Sequence, residues 1–95
     1  MITKILQVFQ MTERQYTDRQ GNSQVFKTKP FLMQTEDGTI YCEAIQEQAE
    51  QLNKLDIQAG DTAFVTLSAV ARKYEDSKKQ ERYSNELTIR TMTMI

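Results

Sequence analysis

The groups available for chemistry in this sequence are cations and rings rather than acid–base catalysts and nucleophiles. There is no histidine, and Cys42 is the single cysteine. General acid–base work near neutral pH most often uses histidine, and a nucleophilic cysteine or serine usually needs a nearby base. A lone thiol with no companion at metal-ligand spacing can form neither an internal disulfide nor a familiar zinc site. Cys42 therefore reads as a small buried apolar residue. The expectation is a protein that is not an enzyme, with no catalytic residues, no metal and no cofactor.

The cations are unevenly placed. Formal net charge is −1, which taken alone argues against a nucleic-acid partner. Residues 14–35 nevertheless carry Arg14, Arg19, Lys27 and Lys29 against Asp18, a net of +3. Residues 72–82 carry Arg72, Lys73, Lys78, Lys79 and Arg82 against Glu75, Asp76 and Glu81, a net of +2. Residues 36–61 hold Lys54 against seven acids, a net of −6. Rings lie among the cations: Tyr16, Phe31, Tyr41, Tyr74 and Tyr83 are the candidates for stacking unpaired bases, while Phe9, Phe26 and Phe64 are assigned to core or hairpin packing.

The elements that must position these groups read mainly as strands. Ile2 to Met11 is rich in strand formers without clean alternation, as in a strand that bends through a bulge and serves two sheet surfaces. The polar run Thr12 to Gln24, with the turn pair Gly21-Asn22, reads as a long first hairpin connection. A second strand, about Val25 to Gln34, places Lys27, Lys29, Phe31 and Met33 on one face and Phe26, Thr28, Pro30 and Leu32 on the other. Pro30 has no amide donor, which argues for an edge or a local break in the ladder.

Asp37-Gly38 is the sharpest hairpin signal and leads into a third strand, Thr39 to Ile45, with Ile40, Cys42 and Ala44 inward and Tyr41 outward. Gln46 to Leu55 has high helix propensity, with Ala49, Leu52 and Leu55 forming one narrow apolar stripe. After the turn at Gly60-Asp61, Thr62 to Ala71 alternates as a fourth strand with Ala63, Val65, Leu67 and Ala69 on one side. A charged loop, Lys73 to Arg82, precedes a fifth strand with Leu87 and Ile89 facing in. Met92 and Met94 alternate with Thr91 and Thr93 and read as a strand end packing on the barrel, with an exposed dimer contact as the alternative.

Ninety-five residues suit one domain, 1–95, with a modest core, so self-association is expected: a homodimer or higher homo-oligomer. Apolar residues at 39% and charged residues at 26% mark a globular chain. Lys4 and Gln7 interrupt the apolar residues of Met1 to Phe9, which excludes the unbroken run of a signal peptide or membrane span. A cytoplasmic protein with no membrane partner is expected.

Strand, strand, strand, helix, strand, strand in this length is the order of the five-stranded OB-fold Greek-key barrel, an all-β fold with one short helix. The Gly21-Asn22 hairpin, the strand Thr39 to Ile45 running into a helix, Gly60-Asp61, and the basic loop between strands four and five resemble the OB-fold single-stranded DNA-binding proteins of bacteria, phages and mobile elements. In an OB barrel the first hairpin, the face of strands two and three, and the four-to-five loop surround the oligonucleotide. The expected nucleic-acid-binding residues are therefore Arg14, Tyr16, Arg19, Lys27, Lys29, Phe31, Tyr41, Arg72, Lys73, Tyr74, Lys78, Lys79, Arg82 and Tyr83. The expected partner is single-stranded DNA, bound with little sequence preference, with RNA left open. The rival reading is an OB-fold assembly subunit that binds protein instead.

Overall fold

A computed structural model describes all 95 residues. Its elements are β1 (Ile2–Val8), β2 (Thr12–Thr17), β3 (Ser23–Thr35), β4 (Gly38–Ile45), α1 (Gln46–Lys54), β5 (Thr62–Glu75) and β6 (Glu81–Met94). The bulge expected in the first strand is present as a register shift between Ile5 and Gln7 of β1, and the chain is interrupted again after Val8 before it resumes as β2. Most of the run Thr12 to Gln24, expected as a connection, is therefore strand, and the chain turns only around Asp18 to Asn22. All six residues of β2 are exposed, so the apolar alternation that marks a strand is missing. Pairing with β3, from Thr12↔Thr28 to Thr17↔Ser23, holds it in place.

The strands close into a ring. β1 pairs with β5 and β3, β5 with β6, and β3 with β4, while one parallel pair between β4 and β6, Glu43↔Thr88, completes the circuit. β2 hangs outside the ring on β3. With β1 and β2 taken as halves of one bent strand, this is the expected five-stranded order. Pro30 marks where β3 changes partner: β2 accompanies it to Thr28 and β1 from Phe31 onward. The ladder break expected at Pro30 is present, although β3 is flanked on both sides and is no edge. The Pro30 carbonyl accepts a hydrogen bond from the Phe9 amide at 3.2 Å.

The core comprises Ile5, Phe31, Met33, Cys42, Ala44, Ala49, Leu52, Ile57, Ala63, Val65 and Ile89. Met92 and Met94 pack against it, as expected. The helix closes one end of the barrel with Ala49 and Leu52. Leu55 does not extend this stripe: the backbone has already left helical geometry there, the side chain is exposed, and Ile57 is buried instead. Cys42 is fully buried, and burial, with Glu43 second, pushes its thiol up to about 11, so it packs as an uncharged sulfhydryl.

The loop expected at Lys73 to Arg82 is mostly strand. β5 and β6 pair without interruption from Leu67↔Ile89 to Glu75↔Glu81, leaving a turn at Asp76 to Gln80. Both faces of this ribbon meet solvent, so Ala69 and Ala71 are exposed and no apolar period is visible. Polar pairs link its strands: Arg72–Glu86 at 2.8 Å and Lys73–Glu81 at 3.0 Å, while Arg82 reaches Asp76 of the turn at 3.1 Å. The radius of gyration is 15.3 Å, against about 12 Å for a compact chain of this length, because two hairpin arms leave the barrel. No helix is long and apolar enough to cross a membrane.

Candidate nucleic-acid interface

The two arms flank a groove of about 860 Å³ on the outer face of the sheet. Thr12 and Arg14 of β2, Phe26 and Thr28 of β3, and Tyr41, Glu43 and Ile45 of β4 line it, and Arg72 with residues 85–88 form its other wall. The β3 and β4 positions alternate with Phe31, Met33, Cys42 and Ala44, so the residues that fill the barrel orient these neighbours outward.

Two aromatic stations occupy this face. Arg14 lies over the Phe26 ring, 5.6 Å from its centroid, and the two are register partners. Tyr41 is register partner to Leu32 and meets Phe9 edge-on, with ring centroids 5.7 Å apart. Phe26 and Leu32 are six residues apart on β3, so the stations are roughly 20 Å apart along the strand. Tyr41 is half exposed, and its phenol is held above its ordinary value by burial first and then by the charge of Glu43.

Charge on the groove lining cancels, since Arg14 and Arg72 face Glu43 and Glu86. The two arginines are not equivalent. Arg72 is paired with Glu86, whereas Arg14 has no carboxylate within ion-pair distance and keeps its charge available above Phe26. Lys78 and Lys79, in the ribbon turn, are likewise unpaired. That turn is built on Asp76, whose carboxylate accepts the amides of Lys78 and Gln80, both at 2.9 Å. The turn of the other arm repeats the design with Asp18 and the amides of Gln20 and Asn22.

Of the residues expected to bind nucleic acid, Arg14, Tyr41 and Arg72 line the groove together. Tyr16 shares the Arg14 face of β2, and Arg19 lies in the turn beyond it. Lys73 and Tyr83 are cross-strand partners on one face of the ribbon, while Tyr74 and Arg82 are partners on the other, so one strand of nucleic acid following one face would meet only one of these tyrosines. Three residues are corrected. Phe31 is fully buried, and Lys29 is only 7% exposed, with burial lowering its ammonium pKa. Lys27 turns to the helix, where it pairs with Glu50 and its amide donates to Gln46. The expected faces of this strand were correctly separated, but the one carrying Phe31 and Met33 is the core.

Phe26 and Phe9, assigned to packing, stand instead at the two stations, and Phe64 is 47% exposed. The available signal was parity: Phe26 and Phe31 are an odd number of residues apart, so only one of them can fill the barrel.

No family model matches the sequence, and no curated protein matches it. Among solved structures, the chain is similar to the second OB-fold domain of replication protein A from Methanococcus maripaludis. The TM-score is 0.60 at 14% identity, covering 99% of this chain and 79% of that one. Together with the ring of strands and the helix between β4 and β5, this likeness identifies the architecture as an OB barrel.

Proposed function

We propose that this protein binds single-stranded DNA in the groove, stacking unpaired bases on Phe26 and Tyr41 while phosphates follow Arg14 and the turn lysines Lys78 and Lys79. The observation that carries this reading is the pair of aromatic stations on one exposed sheet face, one of them beneath an unpaired arginine. Stacking on a ring is worth about 1–3 kcal/mol per base and tolerates any base, so no defined sequence is recognised. The site needs no cofactor and performs no reaction. An OB-fold domain of a replication protein as structural neighbour supports a role in DNA replication or recombination, in line with the single-strand-binding class that the sequence resembles. The working location is the cytoplasm, and the working assembly is a homo-oligomer.

Fluorescence anisotropy with a labelled mixed-sequence DNA strand, its RNA counterpart and the matching duplex, at two salt concentrations, tests the proposal. Single-stranded DNA should bind more tightly than duplex, because stacking needs unpaired bases and no element is shaped to read a major groove. Equal affinity for strand and duplex sinks the reading. The cancelled groove charge favours a second reading, a protein-assembly barrel, together with a smaller hollow where Met1, Ile2 and Phe64 are exposed. That reading expects no binding to any of the three nucleic acids.

A further inference from the structure

The groove floor carries a negative charge where a phosphate track should have none. Glu43 lies at the point of ring closure, in register with Pro30 of β3 and Thr88 of β6. It is half buried, lines the groove, and forms no ion pair or side-chain hydrogen bond, whereas Glu86 is held by Arg72 and Glu50 by Lys27. Tyr41 stands two residues away on the same face, roughly 7 Å along the strand. A base stacked on Tyr41 can turn one edge toward Glu43.

A carboxylate only accepts hydrogen bonds. It repels phosphate, so the backbone of a bound strand keeps to Arg14 and the rim while the bases face the floor. We propose that Glu43 receives the amino edges of these bases and makes the groove prefer cytosine, adenine and guanine over thymine and uracil. The inference rests on the binding proposed above and adds a composition preference to it. Cytosine N4 and adenine N6 each bring an amino donor, and guanine brings N1–H beside its N2 amino group, a two-donor edge that matches both carboxylate oxygens. Thymine and uracil offer only N3–H, between two carbonyl oxygens that the carboxylate repels.

The test is anisotropy with labelled oligo-dC, alternating dT/dG and oligo-dT of equal length, using the intact protein and the Glu43→Gln variant. Glutamine is close in size and both donates and accepts, so it removes the discrimination without emptying the floor. The intact protein should bind oligo-dC and the dT/dG strand about tenfold more tightly than oligo-dT, and E43Q should narrow this to about threefold or less. Equal binding of the three strands by the intact protein overturns the inference while leaving single-strand binding in place. So does an E43Q variant that binds all three more tightly by one common factor, which would mean that Glu43 faces phosphates. Binding to none of the strands overturns the proposed function as well.

Discussion

Phe26 and Phe31 stand on one strand with opposite fates: Phe31 has no exposed surface, and Phe26 lines the groove beneath Arg14. Phe31→Ala should therefore destabilise the fold by about 3–5 kcal/mol in urea denaturation, the usual loss for a core phenylalanine. Phe26→Ala should leave the fold close to the parent and weaken single-strand binding by about 1–3 kcal/mol, with little change in salt dependence, because a ring displaces no counterions. The turn lysines should behave in the opposite way. Replacing Lys78 and Lys79 with alanine should weaken all single strands about equally and reduce the logarithmic salt slope by close to one unit for each phosphate no longer neutralised. A double variant that keeps the parental affinity and slope at both salt concentrations removes the turn from the binding surface.

Among the elements, the two arms share one device. Asp18 and Asp76 each accept amides two and four residues ahead, and the residue three ahead, Gly21 or Lys79, has positive φ. Both carboxyls are held below the ordinary aspartate value, Asp18 chiefly by the Asn22 amide and then Gln24, Asp76 chiefly by the Gln80 amide and then Arg82. A depressed folded-state value means that the ionised form favours the folded turn. The stabilisation is fully present above the ordinary aspartate value near ~4 and is lost as pH falls through the lowered values. Hydrogen exchange of the Gln20, Asn22, Lys78 and Gln80 amides, corrected for intrinsic rates, should show protection near pH 5 that fades on acidification below about 4. Protection that stays constant down to pH 2 would show that the carboxylates do not hold the turns.

At the scale of the whole molecule, the barrel is thinly filled. Only 14 of 95 residues are buried, while Ile2 and Phe64, cross-strand partners on the outside of the barrel, are 64% and 47% exposed. A small core and an exposed apolar pair together motivate the proposal of self-association, since a second copy would remove apolar surface that the monomer leaves in water. Light scattering at high micromolar concentration should return a mass above the 11.1 kDa of one chain. A monomer mass there counts against it.

Apart from β2, the order of elements was legible in the sequence, as were the turns at Gly21-Asn22 and Asp37-Gly38, the break at Pro30 and the inward positions Cys42, Ala44, Val65 and Ile89. Each depends on local stereochemistry or on period-two burial, which neighbouring residues reveal. The strand character of β2 and of the outer ribbon was not legible, because an element wet on both faces carries no apolar period and is held by cross-strand pairs such as Thr12–Thr28 and Lys73–Glu81. Alternation likewise divided β3 into a Phe26 face and a Phe31 face without saying which one closes on the core. Ring closure decided that, since pairing β3 with both β1 and β4 curves the sheet around Phe31 and Met33 and turns Phe26 out. The candidate site changes with that choice: Lys27, Lys29 and Phe31 leave it, and Phe9, Phe26 and Glu43 enter, because a sheet curved into a barrel has one inside and its sequence period has two equivalent faces.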